Sequence, residues 1–361
     1  MEEKGKKGRM DYTLLLIVVL LVVIGLVILY STSAYNGQVK FHDSFYYLKK
    51  QAFATVLGIV LMLFVAGMDY HIWQRLAIFG YLTAVALSVA VMLFGREING
   101  SKRWLALGPF SFQPSEFAKV ALILFLADLV TKNVKTIGKM WTLCRIMFWI
   151  LPIVGLVGAS NLSTAIIILG IGVILIFVAS PKYAQFVLMG IAGACFMGIF
   201  LALESYRLER LAIWRNPEKY EKGYQTLQGL YAIGSGGVFG VGIGNSVQKL
   251  GFVPEAQNDM IFSIICEELG LVGAGIIVFL FLLLIWRFFL IASGSRDLFG
   301  ALIATGAMAH MMIQVILNIA VVTNTIPNTG ITLPFISYGG TSVMFLLIEM
   351  GLVLSVSQVV D

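Results

Sequence analysis

The chain has 361 residues, of which 59% are hydrophobic and 12% charged, with a formal net charge of +6 and a mean hydropathy of +0.92. A soluble domain is roughly half apolar and about a quarter charged, so this balance excludes an ordinary globular enzyme, a disordered chain and a disulfide-stapled secreted domain. The basic residues form no stripe with interleaved aromatics; many sit at the ends of apolar runs, where anionic headgroups and topology explain them, and no nucleic-acid partner is expected.

At about 20 residues per helical span, the apolar runs predict ten spans. They cover Tyr12–Thr32, Gln51–Met68, Leu76–Phe94, Pro114–Val130, Cys144–Gly158, Leu162–Ala179, Ala184–Leu203, Met260–Ile291, Leu298–Val322 and Gly339–Val360. The fold expected is all-α, a polytopic membrane protein, because a bilayer offers isolated backbone groups no other partner and no run alternates as a barrel strand would. The charged Met1–Met10 stretch and the long run that follows read as an uncleaved first span rather than a signal peptide. With the N-terminus inside, the cytoplasmic pieces carry twelve Lys and Arg residues against six in the short outer loops, which puts both termini in the cytoplasm. Cys144, Cys195 and Cys266 show no CxxC pairing and read as small core residues. The one sizeable polar segment, Glu204 to Asp259, is expected to be a large outer loop within a single membrane domain spanning residues 1–361, and loops of that size usually bind or catalyse.

In the third outer loop, REINGSKRWLALGPFSFQPSEFAKVA, Pro114 suits a first helical position. Glu116 and Lys119 then share a helix face, either easing a helix end into the interface or belonging to a polar cavity. Arg103 and Trp104 read either as a snorkelling Arg beside a belt aromatic or as part of that site. The glycines at 234, 236, 237, 240, 242 and 244 follow no strand, which excludes a Rossmann site; a flexible or tightly folded loop near the membrane is favoured over an anion nest. Asp259 closes Pro254-Glu255-Ala256-Gln257-Asn258-Asp259 at the mouth of the eighth span, where an aspartate is also a good N-cap. Glu267 and Glu268, inside an apolar helix, each need a partner or water and are expected to be structural. The uncharged NTIPNTGITLPFISYGGTS, with two prolines, is expected to be a re-entrant or broken segment, in which Asn324 and Asn328 form a turn or line a polar channel.

These stretches resemble the SEDS family (shape, elongation, division and sporulation), which includes FtsW, RodA and SpoVE. The likeness rests on Gly330–Ser342 (GITLPFISYGGTS), Asn99–Lys119, Gly223–Gly270 and the span count; Thr332 in GITLPF leans toward the FtsW/SpoVE branch. The resemblance implies an enzyme of the bacterial cytoplasmic membrane that polymerises lipid II into glycan strands on the outer face. Its implied partners are a class B penicillin-binding protein, which is the crosslinking transpeptidase, and other division or elongation proteins. It places Asp259 on the family's essential acid, Trp104 on a functional tryptophan, and Arg103, Glu116 and Lys119 in a polar cavity. Two departures stand out: Gln257 and Asn258 replace the family's usual histidine and threonine before the acid, and Ala159–Ala165 lacks the aspartate of a common QPDLGTA motif, so no role is carried onto that segment.

An inverting displacement of lipid pyrophosphate needs one base and cations at the leaving group. Asp259 suits the first. Arg103, Lys119, Arg207, Arg210, Lys249 or a divalent ion such as Mg or Mn suits the second, and Glu255 adds to the substrate-binding set. A lipid II flippase using Glu116, Lys119, Glu267 and Glu268, and a non-catalytic scaffold for the penicillin-binding protein, are the alternatives from other classes.

Overall fold

The computed structural model describes residues 8–98, 101–107, 110–187, 190–191 and 211–359. In chain order its helices are α1 (Tyr12–Phe41), α2 (Tyr46–Gly67), α3 (His71–Phe94), α4 (Pro114–Asn133), α5 (Met140–Ser160), α6 (Leu162–Ala179), the short α7 (Tyr224–Ser235), α8 (Ile261–Gly294), α9 (Leu298–Val322) and α10 (Gly340–Ser357). Among the described residues, eight helices are long and apolar enough to cross a membrane. The remaining long one, α4, carries Glu116, Lys119, Asp128 and Lys132 and is packed by α3, α5, α6, α9 and α10. Glu116, Lys119 and Asp128 are thus buried on an enclosed helix, while Phe53, Val56, Phe64, Phe79 and Leu82 of α2 and α3 face outward. That inversion of soluble-protein burial marks a multi-pass membrane protein.

The expected spans coincide with α6 and α9 end to end and overlap α1–α5, α8 and α10. Several helices are longer than expected: α1 continues through the polar STSAYNGQ to Phe41 and ends on His42 in the left-handed region. The expected seventh span, Ala184–Leu203, lies largely outside the described residues, as do Cys195, Arg207 and Arg210. Cys266 is buried as expected, whereas Cys144 is exposed on α5. The all-α expectation needs one addition, an antiparallel sheet of β1 (Arg96–Ile98), β2 (Ser101–Leu107) and β3 (Phe110–Phe112) in that order. Beyond the helix ends, backbone groups pair with neighbouring strands instead, and the β-favouring residues here, among them Trp104 and Phe112, fit that pairing.

One end of the bundle gathers Asp11, whose amide donates to Ser357 Oγ (3.1 Å), and Met68, whose carbonyl accepts from Ser355 Oγ (2.6 Å). The opposite end gathers the α1–α2 turn, the sheet and residues 323–339: Tyr47 packs edge-on against Tyr338 with ring centroids 4.9 Å apart, and Thr341 Oγ1 donates to Ser111 O (2.8 Å). The chain is at the first end at Gln185, bonded to Gly138 O, and at the second at Trp214, bonded to Asn324 O.

The glycine run is tightly folded. It lies along α8 where that helix breaks at Gly270 (φ 66°, ψ −168°). Val241 N and Gly242 N donate to Glu267 O and Glu268 O (2.9 Å each), and Leu271 N and Val272 N donate to Gly237 O and Val238 O (3.0 and 3.1 Å). The hydrogen bonds lost at the break are therefore remade between segments, roughly 9 to 16 Å along the helix from its start. The amides of Gly240, Val241 and Gly242 are all spent on protein carbonyls, so these three leave nothing for an anion nest.

A Cβ at position 270 would lie 2.3 Å from Gly240 N and 2.5 Å from Val238 O, at a backbone angle that side chains rarely adopt. Gly270→Ala is expected to destabilise the detergent-purified chain by about 2–3 kcal/mol, read as a lowered unfolding midpoint. Gly275→Ala on the same helix, where nothing lies within 4 Å, should leave the midpoint unchanged or slightly raised.

Candidate functional site

Asp259 occupies the turn that enters α8, but it does not cap the helix: the cap position is Met260, with no side-chain cap bond. Its carboxylate instead meets Gln225 of α7, whose Nε2 approaches both Asp259 Oδ1 and Pro254 O at 3.4 Å. Gln225 Oε1 in turn accepts from Asn328 (3.4 Å). Asn318 of α9 donates through Nδ2 to Asp259 O (2.8 Å) and to Ile331 O (2.7 Å), joining the turn to the proline-containing segment. Gly330 completes the contact, since a Cβ there would stand 3.9 Å from Asp259 Oδ2. On the far side, Gln257 Oε1 accepts from Asn36 (3.0 Å) and Gln257 O from the Tyr338 amide (2.9 Å). Burial pushes the Asp259 carboxyl up to about 6; the negative charge of Glu255 adds to this, while the local backbone amides and Gln225 partly offset it. A carboxylate titrating there is ionised at neutral pH yet basic enough to accept a proton.

Among the described residues, Lys119 and Lys249 are not gathered at this acid. Lys249 is buried, with Nζ 2.6 Å from Glu268 Oε1 and 2.9 Å from Ser31 Oγ, so its expected place at a leaving group is corrected to a structural ion pair. Glu268 also accepts from Ser31 (2.8 Å), and Glu267 accepts from Ser246 Oγ and from Val247 N (3.1 Å). Both glutamates thus have the partners a membrane-embedded carboxylate needs. Lys119 sits inside the bundle, 3.1 Å from Glu116 Oε1 and 3.2 Å from Gln314 Oε1, which favours a buried polar group over an interfacial helix end. Arg103 Nε donates to Ser160 O (3.1 Å) where α5 meets α6. Trp104 is half-buried on β2, opposite Arg96 in the ladder. Glu255 adopts a left-handed backbone (φ 53°) in the turn before Asp259, bonded to Asn258. Among the described residues Asp259 has no ion pair, and no three His, Cys, Asp or Glu side chains form a metal-ligating cluster.

The family of FtsW, RodA and SpoVE, described as cell cycle proteins, matches residues 12–361. The chain belongs to this family. It is 40% identical to stage V sporulation protein E of Bacillus subtilis strain 168, with 98% of each chain covered. It is 35% identical to the probable peptidoglycan glycosyltransferase FtsW of Trichlorobacter lovleyi over 96% of this chain and 93% of that one. Its fold superposes with a TM-score of 0.84, at 30% identity, on a chain from a peptidoglycan synthase complex studied for the coordination of polymerization and crosslinking, covering 96% of this chain and 97% of the other. The rod shape determining protein RodA of Thermus thermophilus superposes with a TM-score of 0.72 at 28% identity, covering 96% of each chain. The relatives agree with the FtsW/SpoVE leaning of Thr332.

Within this family fold, Gln225, His310, Gln314, Asn318 and Glu349 were not anticipated from sequence. His310, Gln314 and Asn318 recur every four residues in an otherwise apolar helix, a one-face pattern that was readable. In the segment that departs from the family motif, Asn161 caps α6 by accepting from Thr164 N (3.2 Å), and Ser163 Oγ donates to Thr329 O (2.8 Å). Asn324 and Trp214 bond each other's backbone carbonyls, so Asn324 is the structural turn, whereas Asn328 belongs to the Asp259 group.

Removing one member of a buried ion pair leaves the other uncompensated, at a cost of about 3–5 kcal/mol. Lys249→Met is expected to lower unfolding stability by that order, and Lys249→Met combined with Glu268→Leu should recover most of it in a denaturant or thermal titration.

Proposed function

We propose that this chain is a peptidoglycan glycosyltransferase that polymerises lipid II into glycan strands at the outer face of the cytoplasmic membrane, with Asp259 as general base. The carrying observation is Asp259, whose carboxyl is pushed up to about 6 by burial and meets Gln225 while its backbone carbonyl accepts from Asn318, at the bundle end where the sheet and residues 323–339 meet. Membership in a family containing peptidoglycan glycosyltransferases supplies the reaction class.

In this reading the 4-hydroxyl oxygen of a GlcNAc attacks the anomeric carbon of a MurNAc carried on lipid pyrophosphate. The new C–O bond forms as the bond to pyrophosphate breaks, and the anomeric centre inverts from α to β. The hydroxyl proton passes to an Asp259 carboxylate oxygen, and the bonding pair leaves with the pyrophosphate. Lys119 and Lys249 are held by carboxylates; Arg103 and its neighbour Trp104, with Arg207 and Arg210 of the long loop, are the proposed contacts for the leaving group and sugars. Glu255 raises the basicity of Asp259 through its charge. Glu116 belongs with Lys119 to the buried group behind the site.

Residues 204–259 then form the extracytoplasmic loop of a single membrane domain, both termini are cytoplasmic, and the lipid tails of donor and acceptor remain in the bilayer. A class B penicillin-binding protein is the proposed partner, within a division or elongation complex. The ionisable residues of the flippase alternative are paired into two internal clusters, Glu116–Lys119 and Glu267–Glu268–Lys249, which gives that reading no specific support.

Asp259→Asn is expected to lower strand synthesis from purified lipid II by about 100-fold or more, with unfolding midpoint and co-purification with the transpeptidase unchanged. Synthesis at the wild-type rate would remove Asp259 from the mechanism.

A further inference from the structure

Behind the proposed site lies a second buried polar group that the displacement chemistry does not use. His310 of α9 has Nδ1 2.8 Å from Glu349 Oε2 of α10 and Nε2 2.8 Å from Gln314 Oε1. All three side chains are buried. Gln314 Nε2 donates to the carbonyl of Thr332 (3.1 Å), and a carbonyl can only accept, so the orientation of the Gln314 amide is fixed. Its oxygen, which also receives Lys119 Nζ (3.2 Å), must therefore accept from His310 Nε2, and Nε2 must carry a hydrogen. Only Nδ1 is left to face Glu349. At 2.8 Å a bare ring nitrogen and an ionised carboxylate would set two acceptors against each other, so one further proton has to lie between them. The charge count agrees. Lys119 and Glu116 of α4 cancel, α6 carries no ionisable residue, and on α8 Glu267, Glu268 and Arg287 have partners elsewhere. The second oxygen of Glu349 has no partner, which makes its ionised form more costly still in apolar surroundings.

We propose that His310 and Glu349 form a positioning pair that retains one shared proton at neutral pH and, through Gln314, locks the 330–333 segment against Asp259. The mechanical link is short. Gln314 holds Thr332 O, and Asn318, one turn further along α9, holds both Ile331 O and Asp259 O. If the pair loses its proton, His310 has no reason to keep hydrogen on Nε2, and the Gln314 oxygen loses one of its two donors. The catalytic half of this proposal rests on Asp259 being the base; the proton half does not.

The folded chain then binds one proton more than the unfolded chain, in which Glu349 is ionised and a histidine is neutral above about pH 6.5. Stability therefore falls as pH rises above that value. Glu349→Gln replaces the shared proton by an amide hydrogen donated to Nδ1, so it keeps the geometry and removes the linkage.

Three readouts on the full-length purified chain test this. The sequence holds only three histidines, so 15N-histidine labelling resolves His310 from the exposed His42 and His71; Nε2 of His310 is expected to be protonated at about pH 8. The fall of unfolding midpoint between about pH 7 and about pH 9 should be shallower in Glu349→Gln than in wild type, by the equivalent of one proton. In strand synthesis from lipid II, Glu349→Gln should retain the wild-type rate, while Glu349→Ala loses roughly 10- to 100-fold in the saturated rate. A bare Nε2, or equal pH slopes in wild type and Glu349→Gln, overturns the shared proton. Equal synthesis by Glu349→Ala and wild type overturns the positioning role. If the wild-type chain itself makes no strands, the proposed enzymatic function fails, and the labelling and unfolding readouts still decide the proton.

Discussion

Two stretches of non-helical backbone, 236–259 and 323–339, run against the helices of this bundle, and the polar groups they bury must find partners in protein rather than in water. The first is held by the edge of the broken helix α8, by Glu267 accepting from Ser246 and Val247, and by the Lys249–Glu268–Ser31 cluster. The second is held by Gln51, which bonds Ser337 O and the Gly339 amide, by Ser163 at Thr329 O and by Gln314 at Thr332 O. Asn318 of α9 and Gln225 of α7 each bond both stretches. Each such bond contributes only about 1 kcal/mol net, but leaving a buried group unmet costs about 1–3 kcal/mol. The partners therefore specify where the irregular backbone runs more than they add to total stability. Asp259 lies where the two stretches touch, and its placement follows from theirs.

This division of labour sorts the acids. Glu116, Glu267, Glu268 and Glu349 are each matched by a cation, a shared proton or backbone amides within the helical layer. Asp259, at the end of that layer, has an amide for company and the charge of Glu255 nearby. Burial without an ion pair among the described residues is what raises its proton affinity; an arginine beside it would oppose that effect and hold the carboxyl low.

The spans were legible in the sequence because twenty apolar residues in a row have few other uses, and α6 and α9 match end to end. Their ends were less so: α1 continues nine residues past Thr32 because serine, threonine and asparagine are tolerated in a helix that packs at the end of the bundle carrying the sheet. The sheet at residues 96–112 was invisible because its aromatic and basic residues also fit a membrane-interface loop. The glutamates of α8 announced their need for partners, but the identity of Lys249 as one of them depends on the glycine run folding back along α8. That in turn depends on the break at Gly270, which no periodicity encodes. The pairing of Lys119 with Glu116 and of Lys249 with Glu268 was hidden for the same reason: sequence shows which charges share a loop or a helix, not which of them are already spent. His310 and Glu349 were missed as single polar residues on separate spans, although the four-residue spacing of His310, Gln314 and Asn318 was there to be read.

The central claim is that one half-buried carboxylate, without an ion pair among the described residues, serves as the base, and its proton affinity is the property to measure. The pH dependence of initial strand synthesis from lipid II is expected to rise with a midpoint of about 6 in the wild-type chain. In Glu255→Gln, which removes the neighbouring negative charge, the midpoint should move to lower pH. A rate that is flat between about pH 5 and about pH 7.5, or a midpoint unmoved by Glu255→Gln, would contradict the account.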